Sequence, residues 1–193
     1  MTHPPLILAS QSPRRRRLLT EAGYTFTIIA PPESAEDGQR PGESPEDMVM
    51  RLARQKAAQV AADIRRGIII GCDTVVVRGR EILGKPRDEP DARRMLRRLA
   101  GHQSHVLGGL CLWEAGGARH EVRLARTTLA VAPLTDQETN NYLASGRWRG
   151  KAGGFGYQDG HHWLHILSGS QSNVVGLPLA LLARMLDDFP HPE

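Results

Sequence analysis

The chain has 193 residues, 40% of them hydrophobic, enough for one substantial core and marginal for two domains, so a single unit is expected, with two lobes around a cleft. Lys plus Arg number 25 against 21 for Asp plus Glu, a formal charge of +4 that suits a small anionic ligand as well as RNA or DNA. Cys72 and Cys111 form no C-x-x-C pair, the N-terminus lacks a basic-then-apolar leader and no apolar run approaches about 18 residues, which argues against a structural zinc, secretion and a membrane span and for reduced thiols in the cytoplasm.

Leu6 to Ala9 is a short apolar run meeting Ser10, Gln11, Ser12 and Pro13. A strand, a tight loop and a helix are predicted: Ser12 fits an N-cap, Pro13 the first helical position and Gly23 the exit, with Leu18, Leu19 and Ala22 inward. Tyr24 to Ile29 reads as a second strand, and the Pro-, Glu-, Asp- and Gly-rich stretch from Ala30 to Glu43 as a loop. Ser44, Pro45 and Asp47 open a helix to about Arg65, with Val49, Ala53, Val60 and Ile64 on one face. A buried strand runs from Ile68 through Asp73 to Val77 and turns at Arg78-Gly79-Arg80 into Glu81 to Leu83. Asp88, Pro90 and Asp91 start a helix that Gly101 closes, with Ala92, Met95, Leu96 and Leu99 facing the core. Strands from Ser104 to Trp113 and from Arg119 to Val131 flank Ala115-Gly116-Gly117. Thr135 and Glu138 form a capping box for a short helix ending near Ala144, and glycine-rich Gly146 to Gly160 is irregular. Trp163 to Leu167 is a strand and Pro178 to Asp188 the last helix; this interleaving predicts a mixed-sheet α/β fold rather than a bundle or sandwich.

Arg14, Arg15, Arg16 and Arg17 fill the first turn of the first helix, where cations oppose the backbone dipole and repel one another. Splayed into solvent they cost little; otherwise a phosphate at the helix start compensates, with Arg14 and Arg15 nearest it and Ser10 and Ser12 adding hydroxyl or backbone donors. Asp73 interrupts an apolar strand, and a carboxylate there needs a partner, a metal or a chemical task, unless it only caps a turn. Thr74 offers a hydroxyl at the same point, although alternation sends its side chain to the other face.

Only Lys56, Lys85 and Lys151 are lysines, so each is a candidate for a position that needs a compact charge. Lys85, just before Pro86, is placed to meet Asp73 across the open end of the hairpin. Lys56 shares the helical stripe of Val49, Ala53 and Val60, where it either snorkels out or serves a phosphate. In Lys151-Ala152-Gly153-Gly154-Phe155-Gly156-Tyr157-Gln158, small residues permit close backbone approach, Lys151 offers charge and Gln158 a paired donor and acceptor; the run matches no Walker or dinucleotide-binding pattern. His161, His162 and His165 have no thiol or carboxylate to complete a metal site and read as turn and surface residues.

Six segments carry a resemblance to a known family: LILASQSPRRRRLL at 6–19, RLARQKA at 51–57, GCDTVVV at 71–77, LGKPRDEPDARRMLRRLAG at 83–101, KAGGFGYQ at 151–158 and SNVVGLP at 172–178. In order, and across nearly the whole chain, they resemble the Maf family of nucleoside triphosphate pyrophosphatases. The resemblance implies an elongated mixed β-sheet flanked by helices, ITPase-like, with the site in a cleft between lobes, and a homodimer. It implies hydrolysis between the α and β phosphates with Mg²⁺ or Mn²⁺, Asp73 acting on the metal and the attacking water. Arg14, Lys56 and Lys85 would hold phosphates, Lys151 and Gln158 would complete the pocket, and Ser10, Ser12, Arg15 and Thr74 lie beside them. A second carboxylate, catalytic and metal-binding, is implied in the lengthened loop Pro31-Pro32-Glu33-Ser34-Ala35-Glu36-Asp37; Glu36 is favoured, with Glu33 or Asp37 as substitutes.

The lysine-alanine-glycine motif with its later glutamine resembles the branch that acts on dTTP and UTP, not the one that prefers 7-methyl-GTP. That branch often has Gly-Glu-Pro and then Asp before the lysine, whereas this chain has Gly146-Arg147-Trp148-Arg149-Gly150. Either metal affinity falls, or Arg147 and Arg149 contact the triphosphate or a partner subunit. A nucleic-acid-binding module is the weaker reading, since only Trp148, Phe155 and Tyr157 lie near a basic run and a buried-strand Asp has no task there. A nucleotide-binding regulator of cell division, as the family's description as septum-formation inhibitors suggests, differs from the enzyme in binding dTTP without releasing pyrophosphate.

Overall fold

The structure, a computed structural model, describes residues 4–32 and 37–189, so Glu33 and Glu36 lie outside the described residues. The first half holds β1 (Leu6–Ala9), α1 (Pro13–Glu21), β2 (Phe26–Ile28), α2 (Pro45–Ala61), β3 (Ile68–Arg78), β4 (Glu81–Leu83) and α3 (Glu89–Leu99). The second holds β5 (Gln103–Glu114), β6 (His120–Val131), α4 (Asp136–Ala144), β7 (Leu164–Ser168), α5 (Gln171–Val175) and α6 (Leu179–Asp188). One open seven-stranded sheet results, ordered β2-β1-β3-β5-β6-β7, with β4 attached to β3. β1 runs parallel to β2 and β3, and the other pairings are antiparallel.

β3 is the spine, and its pairing creates the opening on which the site is built. One edge pairs with β5 from Ile68↔Glu114 to Val77↔His105. The other edge is covered by β1 only as far as Ala9↔Gly71 and by β4 only from Val76↔Leu83. β1 stops there because Ser10 leads into the capped start of α1, with Ser12 as N-cap and Pro13 in the first turn. Residues 72–75 therefore have no strand partner on that edge among the described residues.

α2 covers one face of the sheet with Met48, Val49, Leu52, Ala53, Ala57 and Val60, all buried. It lies unusually close because two strand positions beneath it are glycines. A Cβ on Gly71 would stand 2.2 Å from the Ala53 carbonyl oxygen, and one on Gly109 2.1 Å from that of Val49. On the other face, Leu18 and Leu19 of α1 and Leu182 and Met185 of α6 pack on Leu6, Leu8, Ile68, Ile70, Leu110 and Leu112. Each such fully buried aliphatic side chain contributes roughly 1.5–3 kcal/mol. A third cluster gathers α3 and α4 around Leu83, Leu96, Leu99, Leu129, Trp148, Phe155 and Trp163 and supports the far wall of the opening.

Most elements lie where the sequence places them, within a residue or two; three differences have physical reasons. α2 ends at Ala61 rather than near Arg65, because the Asp63 and Ile64 amides bond back three residues, to Val60 and Ala61, and tighten the chain before β3. Ile64 still packs on the same cluster, which is why the apolar spacing outruns the helix. β2 is three residues long, matched in register to β1 from Leu6↔Phe26 to Leu8↔Ile28. α5 has no counterpart in the sequence reading: five residues are too few for a periodic signal, although Ser170 caps it by accepting from the Asn173 amide and Gly176 follows it.

Candidate active site

The opening in β3 is the floor of a cleft of about 910 Å³. Every candidate site residue within the described chain lines it: Ser10, Ser12, Arg14, Arg15, Lys56, Asp73, Thr74, Lys85, Lys151 and Gln158.

The two faces of β3 contribute different groups. Asp73 pairs across the sheet with Gly109 and shares its face, the one covered by α2. There Lys56, a residue only 3% exposed, donates through its ammonium to Asp73 Oδ1 at 2.7 Å. Lys56 thus turns inward from its apolar stripe, and it is this lysine that meets the Asp73 carboxylate. Thr74 pairs with Gly108 and lies on the opposite face, as alternation requires. That face is used as well: Arg15 Nη2 donates to Thr74 Oγ1 at 3.3 Å, and Thr74 Oγ1 donates to the Gly176 carbonyl at 3.3 Å. Because the strand edge is open here, both side chains reach one cavity.

Arg15 is a brace: Nε donates to the Gly176 carbonyl at 2.8 Å and Nη1 to Ser10 Oγ at 3.1 Å, tying α1, β3 and the end of α5 together. Ser12 caps α1 through its Oγ, its own amide donating to Ser10 Oγ at 3.2 Å. Arg14 reaches across the mouth, Nη2 donating to the Gly150 carbonyl at 2.8 Å. Burial and then the neighbouring Arg15 charge lower its pKa, although a guanidinium stays protonated. Arg16 and Arg17 are exposed, and the Arg17–Glu21 pair at 3.4 Å is a surface contact.

Opposite, Lys151 makes a 2.5 Å ion pair with Asp159, both side chains only 12–13% exposed. Asp159 also lies 3.7 Å from His161 Nε2. Sequence reading did not single out Asp159, whose only signal is its place just after Gln158. Nor is His161 the surface residue expected: it is half-buried, stacked on Trp163 at 4.5 Å, and desolvation lowers its pKa. His162 and His165 are exposed.

Asp37 and Gly38 line the cleft where the loop before α2 crosses it. Arg51 holds this loop, with Nε and Nη2 gripping Glu43 at 2.6 and 2.8 Å, Nη1 donating to Asp37 at 2.9 Å and Nη2 to the Gly38 carbonyl at 2.9 Å. Asp37, a substitute candidate for the second site carboxylate, is thereby engaged by Arg40 and Arg51. The Arg51 hydrogen bond depresses Glu43 to about 2. A depressed carboxylate stabilises the fold above its unfolded value near 4.5 and loses that contribution as pH falls through about 2. Acid titration should therefore release the loop between those limits, and Arg51→Gln should move the transition to higher pH; identical acid midpoints for the two proteins, followed by tryptophan fluorescence, would count against this clamp.

Among the described residues no group of three or more His, Cys, Asp or Glu is placed to hold a metal ion, and the carboxylates that line the cleft are Asp73 and Asp37. No helix among them is long and apolar enough to cross a membrane.

The open mixed sheet with its flanking helices has a relative in fold among solved structures. A HAM1 protein from Coxiella burnetii superposes with a TM-score of 0.52 at 15% identity, covering 95% of this chain and 98% of that one, which defines the fold class. The family model for Maf-like proteins matches residues 5–189, and the chain belongs to that family. Similar proteins named dTTP/UTP pyrophosphatase include one from Rhodopirellula baltica, 47% identical over 95% of this chain and 82% of its own length, and one from Sphingopyxis alaskensis, 48% identical over 91% and 92%. Another, from Anaeromyxobacter dehalogenans, is 44% identical over 98% and 97%.

Proposed function

We propose that this protein is a dTTP/UTP pyrophosphatase that hydrolyses the bond between the α and β phosphates, giving the nucleoside monophosphate and pyrophosphate. The observation that carries the reading is the Asp73–Lys56 pair opening into the same cleft as Arg14, Arg15 and Lys85. The relatives at 44–48% identity support the substrate and reaction. Asp73 orients and deprotonates water for attack at the α phosphorus, Lys56 fixing the carboxylate through Oδ1. Arg14 and Lys85 stabilise charge on the departing pyrophosphate. Gln158 presents an amide, donor and acceptor together, to the pyrimidine edge.

A divalent cation, Mg²⁺ or Mn²⁺, fits this site. Asp73 Oδ2 has no hydrogen-bond partner among the described residues, and magnesium sites commonly use one or two carboxylates with substrate phosphates supplying the rest. When bound, the ion supplies Lewis-acid polarisation of phosphate oxygens. A homodimer working in the cytoplasm completes the reading by family resemblance.

The test is a panel of common and modified nucleoside triphosphates incubated with Mg²⁺ or Mn²⁺, resolving monophosphate, diphosphate, orthophosphate and pyrophosphate. Pyrophosphate with dTMP and UMP is expected. Orthophosphate alone would refute the cleavage position, and dTTP binding without turnover would favour the regulator.

A further inference from the structure

The segment from Gly146 to Gly150 carries Arg149 into the cleft lining and is not used by the mechanism above. Its geometry is built rather than incidental. Trp148 is 4% exposed and anchored by its indole N–H to the Leu143 carbonyl at 3.1 Å. The Arg149 guanidinium lies over that ring, 4.6 Å from its centroid. Gly146 makes the turn with φ +67°, and a Cβ there would stand 2.4 Å from Arg149 Nη1, so the glycine also makes room for the guanidinium. The next residue, Gly150, offers the carbonyl that receives Arg14, and both arginines line the same cleft.

The charges around the cleft are unevenly matched. Lys56 is paired with Asp73 and Lys151 with Asp159. Arg14, Arg15 and Arg149 form no ion pair with a carboxylate among the described residues. Cations held together without counter-charge repel one another and favour an incoming polyanion. Arg149 is exposed at the mouth, whereas Asp73 and Lys56 lie on the floor, so the two ends of the cleft suit different parts of a triphosphate.

We propose that Arg149 is a further phosphate-binding residue which, with Arg14, grips the terminal phosphates and so the pyrophosphate that leaves. The proposal rests on the pyrophosphatase reading and extends it to a position where this chain carries a cation. A planar guanidinium pre-set on an aromatic ring suits bidentate contact with phosphate oxygens and loses little freedom on binding.

The experiment compares wild type with Arg149→Ala. KM for dTTP and Ki for inorganic pyrophosphate should each rise about tenfold, the loss of roughly one charge-assisted contact, while Ki for dTMP shifts by less than about twofold. A merely structural role, displacing the loop that carries Lys151 and Gln158, would weaken dTMP and pyrophosphate alike and would overturn the proposal. So would unchanged pyrophosphate affinity, or a changed oligomeric state with product affinities intact. Calorimetric binding of inorganic pyrophosphate to both proteins separates this question from the parent reading. If wild type cleaves no nucleotide, that reading falls; loss of pyrophosphate affinity in the variant would still sustain the Arg149 site.

Discussion

Asp73→Asn should lower turnover of dTTP by about 10²-fold or more, the scale of losing a general base or a central electrostatic group. The amide cannot accept the proton of the attacking water, and it is a poorer ligand for a divalent ion. It also removes the carboxylate that meets buried Lys56 at 2.7 Å. A hydrogen bond between charged groups contributes roughly 1.5–3 kcal/mol, so a fall in stability should accompany the loss of turnover. Turnover and stability are separable through Lys56. Lys56→Met leaves the carboxylate in place but unbraced, and the double variant should be less destabilised than the sum of the singles, because the two groups interact directly. Saturating assays with Mg²⁺ and Mn²⁺, together with urea denaturation, read both effects. Turnover close to wild type in a folded Asp73→Asn protein would remove Asp73 from the chemistry.

The parts of the fold and site that could be read from sequence are those that depend on local chemistry. Ser12-Pro13 and Thr135-Glu138 carry helix-start chemistry within a few residues of one another, and both start helices here. Asp73 stood out because a carboxylate amid Ile and Val needs a reason, and the reason sits on α2, seventeen positions away, as Lys56. That pairing was not readable. Lys85 was the nearer choice along the hairpin, and only the close seating of α2 on the sheet brings Lys56 to the carboxylate. Arg15 shows the same limit. Its position in a basic run points to a phosphate contact, whereas its three bonds to Ser10, Thr74 and Gly176 depend on a tertiary approach between α1 and the end of α5. Asp159 and Arg51 carry no distinguishing signal in the sequence, because charged residues in loops and on helices are common and only three-dimensional pairing sets these two apart.

The adjacent glycines Gly108 and Gly109 carry the other large expected effect, since a glycine pair inside a strand permits close backbone approach. They stand opposite Thr74 and Asp73, and each admits a different element to its face of the sheet. A Cβ on Gly109 would lie 2.1 Å from the Val49 carbonyl oxygen and 2.8 Å from the Met50 amide nitrogen. Both are helix backbone, so α2 as a whole must retreat. Gly109→Ala should therefore cost roughly 3 kcal/mol, the upper end of ordinary overpacking. Lys56 rides on α2 and holds the Asp73 carboxylate, and a misplacement of about 1 Å in an active site can cost about 10²-fold in rate. Gly108→Ala meets the Asn173 side-chain oxygen instead, also at 2.1 Å. A side chain can yield where a helix cannot, but Asn173 donates to the Val106 carbonyl and to Thr127 Oγ1, so moving it disturbs bonds that hold α5 to β5 and β6. A smaller loss of about 1–2 kcal/mol is expected there. Urea midpoints and dTTP turnover for both variants decide the matter: Gly109→Ala within about 0.5 kcal/mol of wild type and fully active would mean that the close seating of α2 does not position the Lys56–Asp73 pair.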